Sequence, residues 1–168
     1  RGISDDIVVR YDLDAARVAV IPNGANTELF RQRPVEECRR ELSVPAEAFV
    51  FCFAGNLAAW QGVDVLVRAS ARLVRQVPEV QSIIVGGGEE MIELRSLASK
   101  LGAANVLRFE GPVPYERVPT YINAADVCVA PFRRGRKASP IKIFEYLSCG
   151  KPVVASDVDE VRELLHGA

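Results

Sequence analysis

The chain alternates between two kinds of segment, and this alternation limits the folds open to it more than any other feature. Runs of strand length, apolar but for Ser82 and Arg108, stand at Phe49–Ala54, Ser82–Val85, Val106–Phe109, Val127–Ala130 and Pro152–Ala155. Between them lie segments of helical spacing. Val63 to Val77 places apolar residues at 63, 66, 67, 69, 73, 74 and 77, and Pro78 stops it. Glu89 to Leu101 has acids at its start, Lys100 at its end and Gly102 as C-cap. Short helices are expected near Glu36–Leu42 and Glu116–Ala124. Ser139-Pro140 opens another, with Ser139 as N-cap and Pro140 in the first helical position, and it closes at Gly150. Asp157 to Leu165 reads as the last helix. Val18–Ile21 is a further short β-branched run, ending at the turn signal Pro22-Asn23-Gly24. Strands that are apolar throughout need helices on both faces. The pattern therefore predicts an α/β fold with an open, mostly parallel, doubly wound sheet. No repeat or low-complexity linker interrupts it, so residues 1–168 read as a single domain.

Charge and cysteine content narrow the ligand classes. The net charge is −1, which does not imply whole-surface attraction to nucleic acid or an anionic membrane. No stretch approaches the roughly 20 apolar residues of a membrane span. The start, Arg1 to Asp6, has no apolar signal core and no initiating Met, so the chain is expected to be cut from something longer. Cys38, Cys52, Cys128 and Cys149 are irregularly spaced without a CxxC, beside one histidine, His166. Neither a zinc site nor a disulfide scaffold is expected, and a reducing, cytoplasmic setting fits.

In a sheet of this type, ligands bind beyond the C-terminal strand ends. Four features there stand out. Gly55-Asn56-Leu57-Ala58-Ala59-Trp60-Gln61-Gly62 is a glycine-bounded loop leading into a helix. It reads either as a tight turn or as backbone that approaches a phosphate. It matches neither a Walker A loop nor a GxGxxG fingerprint. Gly86-Gly87-Gly88 reads first as a structural turn, with room at Gly88 for a ligand to reach the backbone. Arg133, Arg134, Arg136 and Lys137 form a basic loop before a helix start. It is either solvated or an anion site, with Arg133, Arg136, Lys137 and Lys142 as its cations. Glu145, one turn into that helix, is either a partner of Lys142 three residues back or an acceptor for ribose hydroxyls.

Several short motifs then line up in order. They are Ile21-Pro22-Asn23-Gly24, Phe53-Ala54-Gly55-Asn56-Leu57, Trp60-Gln61-Gly62-Val63-Asp64 and Ile84-Val85-Gly86-Gly87-Gly88. Phe109-Glu110-Gly111-Pro112-Val113, Ala124-Ala125-Asp126-Val127 and Ser139 through Tyr146 follow, continuing through Gly150-Lys151-Pro152 to Ser156. This series resembles the C-terminal, donor-binding domain of GT-B retaining glycosyltransferases of family 4, the glycosyl transferases group 1. The resemblance covers nearly the whole chain from Ile21. It implies a Rossmann-like domain and a nucleotide-diphosphate sugar as donor. It implies that the diphosphate meets backbone amides at the helix start Ser139-Pro140-Ile141, with Gly55 and Gly88 among the donor-binding positions. It places the nucleotide base by Pro112 and Val113, near Val118, and the ribose on Glu145, the second acid of the family's Glu-x7-Glu motif.

Three positions depart from the family pattern. Lys137 stands where the first motif Glu is usual, which bears on the sugar contacts. Asn56 and Gln61 stand where the family often carries Arg and Lys on the phosphates. Lys142, Arg136 and Lys137 are then the candidate replacements, since a charge-assisted contact contributes about 1.5–3 kcal/mol. The implied mechanism is stabilisation of the departing nucleoside diphosphate, without a bound metal or cofactor. No nucleophile or general base stands out. The acceptor, and any membrane contact, is expected to belong to an N-terminal domain outside this chain. The alternative is a non-catalytic nucleotide-sugar-binding or interaction domain.

Overall fold

The computed structural model describes residues 3–21, 23–135 and 140–166. In chain order its elements are α1 (Ile3–Tyr11), α2 (Val35–Glu41), β1 (Phe49–Ala54), α3 (Val63–Leu73), β2 (Val80–Val85) and α4 (Met91–Lys100). Then come β3 (Leu107–Gly111), α5 (Val118–Ala124), β4 (Val127–Ala130), α6 (Ile141–Ser148), β5 (Val153–Ala155) and α7 (Asp159–His166). The strands form one sheet in the order β3-β2-β1-β4-β5, and every pairing is parallel. This is the doubly wound α/β arrangement that the apolar runs predict.

Strand periodicity explains why these runs carry apolar residues on both faces. Val50, Cys52, Ala54, Ile83, Val85, Cys128 and Ala130 pack on one face against α2, α5, α6 and α7, through residues such as Cys38, Ile122, Tyr146 and Val161. The intervening Phe53, Ile84, Leu107 and Val129 pack on the other face against Leu66 and Val67 of α3 and Leu94 of α4. Successive side chains point to opposite faces, and both faces are covered. Each large side chain buried this way contributes about 1.5–3 kcal/mol. The buried polar strand residue, Ser82, is answered by Ser70 of α3 at 2.8 Å, and Ser70 donates to the Leu66 carbonyl.

Some boundaries differ from expectation. β1 and β4 coincide with their apolar runs, whereas β2 begins two residues earlier than Ser82 and β3 extends to Gly111. The helix expected to reach Val77 ends at Leu73, and Gln76 and Val77 finish it as turns on the Leu73 carbonyl. Pro140 is not the first helical residue of α6. Its ψ of 57° is outside the helical range, so it caps the helix and Ile141 is first. Ser139, expected as the cap, lies outside the described residues, as do Pro22 of the expected turn, Arg136 and Lys137. Val18–Ile21 joins no strand, and Val20 and Ile21 are 71% and 86% exposed. It lies outside the sheet, where no neighbouring strand pairs with it. α1 was not anticipated; Asp5 and Asp6 in its first turn and Arg10 in its last suit the helix dipole.

The chain winds outward from β1 to β2 to β3, then α5 returns it to the other side of β1 for β4 and β5. Asp126 fixes the return. Its carboxylate accepts from the Val50 amide and from Arg39, both at 2.7 Å, and so sets β4 beside β1. β1 and β4 pair at Phe51–Val127 and Cys52–Cys128. Past that register Val129 and Ala130 pair with β5, and β1 runs on to Ala54 beside β2. The two strands part where the winding direction reverses.

Candidate functional site

Four strand ends meet at this parting, and hydrogen bonds lace their loops together. The Gly55 amide donates to Val85, the Gly86 amide to Gly111 and the Leu57 amide to Gly87, at 2.8–2.9 Å. The Arg133 amide, after β4, donates to the Trp60 carbonyl, and the Trp60 and Phe132 rings stack at 6.2 Å. Such closeness requires glycine at Gly86: at its φ of 125°, a Cβ would run into the Gly55 carbonyl. Among the described residues no group of three or more His, Cys, Asp or Glu could hold a metal ion.

Helix α6 supplies the charged groups. Its face toward β1 carries Lys142, Glu145 and Tyr146, all buried. The Tyr146 hydroxyl accepts from the Ala54 amide at 2.9 Å and donates to the Ala54 carbonyl at 3.3 Å. It satisfies the strand end that β4 leaves behind. Lys142 Nζ donates to Gln61 Oε1 at 2.5 Å, lies 4.0 Å above the Phe53 ring and 5.3 Å from that of Phe132. A Cβ on Gly55 would sit 2.7 Å from Nζ, so the loop backbone passes directly beside the amine. Burial pulls the Lys142 ammonium down to about 7, against the opposing attraction of Glu145.

Glu145 does not pair with Lys142, as its spacing had allowed. Its Oε1 accepts from the Tyr115 hydroxyl at 2.9 Å. Burial raises the Glu145 carboxyl, while the Tyr115 hydrogen bond and Lys142 act to lower it. The Tyr115 phenol is pushed up to about 12 by burial, then by Glu145. Tyr115 stands in a 3-10 turn between β3 and α5 and packs on Phe30 at 5.2 Å between ring centroids. Nothing in the spacing linked it to Glu145. Phe53 was equally hidden, because an aromatic in a strand run reads as core, and Phe132 because a single aromatic in the loop after β4 carries no periodic signal.

The other expected residues divide. Gly55, Gln61, Lys142 and Glu145 converge on the parting strands. Asn56 is exposed, with its Oδ1 close over Gly88, and Pro112 packs against Gly87. Val113 and Val118 are partly buried against the core on the α5 side, and Ile141 is 42% exposed at the start of α6. Arg133 is committed elsewhere. It donates to Asp64 Oδ1 at 2.8 Å and to the Ala59 carbonyl at 3.1 Å.

A parallel sheet with polar groups gathered at its winding reversal defines a class of ligand-binding α/β domains. Within that class, the chain belongs to the glycosyl transferases group 1, whose family model matches residues 34–167. It is 33% identical over 172 aligned residues to a D-inositol 3-phosphate glycosyltransferase of Thermobispora bispora, covering 96% of this chain and 40% of that protein. It is similar to HepE of Anabaena in complex with UDP-glucose, at TM-score 0.77 and 29% identity, over 93% of this chain and 43% of that one. The fold also matches the C-terminal domain of the group 1 protein LpcC from Francisella tularensis. There the TM-score is 0.68 at 15% identity, over 79% of this chain and 70% of that one. The chain thus spans about 40% of the length of the curated relative, and its sheet is the Rossmann-like half of a GT-B fold.

Proposed function

We propose that this chain is the donor-binding domain of a retaining family 4 glycosyltransferase. It holds a nucleotide-diphosphate sugar, while the acceptor is held by a further domain of the whole protein. The observation that carries this reading is the meeting of Lys142, Glu145 and the Gly55 loop at the winding reversal. The likeness to HepE with UDP-glucose supports it. The diphosphate lies over the Gly55 backbone and the start of α6. Glu145, oriented by Tyr115, accepts hydrogen bonds from the ribose hydroxyls. As the bond to the sugar breaks, negative charge grows on the leaving diphosphate, and Lys142 with the α6 dipole stabilises it. No step in this reading requires a metal or a cofactor.

The test is thermal stabilisation by UDP, GDP and ADP at about millimolar levels, where a 100-fold excess over Kd adds about 2.7 kcal/mol. One of the three should raise the midpoint, and its nucleotide-sugar should be hydrolysed slowly. Failure of all three to stabilise the protein would sink the reading.

A further inference from the structure

We propose that Lys142 is the cation that receives the donor's diphosphate, and that it takes up a proton from solvent when the diphosphate binds. The inference rests on the donor-binding reading above and adds a charge mechanism to it. The sequence alone left three cations open for this place.

The geometry favours Lys142. Its amine reaches across from α6 to the loop after β1, where Gln61 holds it at 2.5 Å and Gly55 leaves it room. Arg133, the other described cation considered, is occupied by Asp64. Among the described residues, the groups around Lys142 other than Glu145 are uncharged. Gln61 offers an amide oxygen from a second 3-10 turn, Ala59–Gln61, Gly55 offers backbone, and Phe53 and Phe132 offer ring faces from β1 and the loop after β4. The charged group acting on it is Glu145 of the same helix, itself held by Tyr115. Among the described residues no carboxylate forms an ion pair with Lys142.

A buried amine in a neutral cage favours its uncharged form, and burial indeed lowers it to about 7. A diphosphate beside the amine reverses the balance, because an adjacent anion favours the ammonium. Binding above neutrality then requires one proton from the buffer, and no bond of the donor changes. The sign follows from linkage. Below pH 7 the free protein already carries the proton and affinity is flat. Above it, affinity falls by up to about tenfold per pH unit until the pKa of the bound state is reached. A nucleotide-sugar suits the measurement, since its diphosphate keeps the same charge across this range.

The experiment is isothermal titration of the full-length protein with UDP-glucose, GDP-mannose and ADP-glucose, taking the tightest. It is run from pH 6 to 8.5 in two buffers of different ionisation enthalpy. Uptake close to zero at pH 6 and approaching one proton at pH 8.5 is expected, with affinity falling in parallel. Lys142→Arg should bind with no uptake across the range. Lys142→Met should bind about tenfold or more weakly at pH 6, also with no uptake. Binding without uptake in the unaltered protein overturns this inference and leaves the donor reading intact. So does uptake that survives Lys142→Met and vanishes in Glu145→Gln. Absence of binding by every donor at every pH overturns both.

Discussion

Glu145 and Lys142 lie three residues apart on one helix, yet they serve different neighbours. Lys142 crosses to Gln61, and Glu145 takes the hydroxyl of Tyr115. The Tyr115 bond holds the Glu145 carboxyl lower than burial alone would. Tyr115→Phe removes it, so Glu145 should titrate at a higher pH than in the unaltered protein. Carbon-13 NMR of labelled glutamate carboxyls, assigned with Glu145→Gln, measures this. An unmoved titration would contradict it. At this scale the sequence is legible for identity and poorly legible for partnership. Glu145 stood out because an acid interrupts an apolar helix face. Its partner did not, because a hydrogen bond between residues 30 apart leaves no periodic trace. The cation beside the Gly55 loop was read as one of three because chain distance does not say which side chain folds back.

The same pattern holds for elements. β1 and β4 were legible to the residue, since a strand buried on both faces must be apolar from end to end. Helix ends were less so. Pro140 looked like a first helical residue, and only its ψ shows it to be the cap. The function of Tyr146 within α6 was not legible either. An aromatic at helical spacing reads as packing, whereas here its hydroxyl closes the backbone of Ala54 where β1 and β4 part. Tyr146→Phe keeps the ring and leaves the Ala54 amide without an acceptor in a buried position. It should cost about 1–3 kcal/mol of stability in chemical denaturation, with the fold retained. A loss within error would show that water or backbone relaxation replaces the hydroxyl.

For the whole molecule, alternation predicted a parallel sheet covered on both faces but not the order of its strands. Order depends on where the chain reverses, and that is set by tertiary contacts such as Asp126 with Val50 and Arg39. The reversal has a kinetic consequence. Strands β1 and β2 join positions 49 and 80, close along the chain, whereas the seam between β1 and β4 joins 51 to 127. Closing the longer loop costs about 0.8 kcal/mol more by chain entropy, before α6 and β5 can dock. The β3-β2-β1 half should therefore gain protection first during refolding, with β4, α6 and β5 following. Pulse-labelled hydrogen exchange would resolve the two phases, and simultaneous protection of both halves would refute the order. Because Lys142 and Glu145 ride on α6, the site they form with the Gly55 loop would, in this order, be the last part of the molecule to exist. A newly made chain would hold most of its sheet before it had any place to put a ligand.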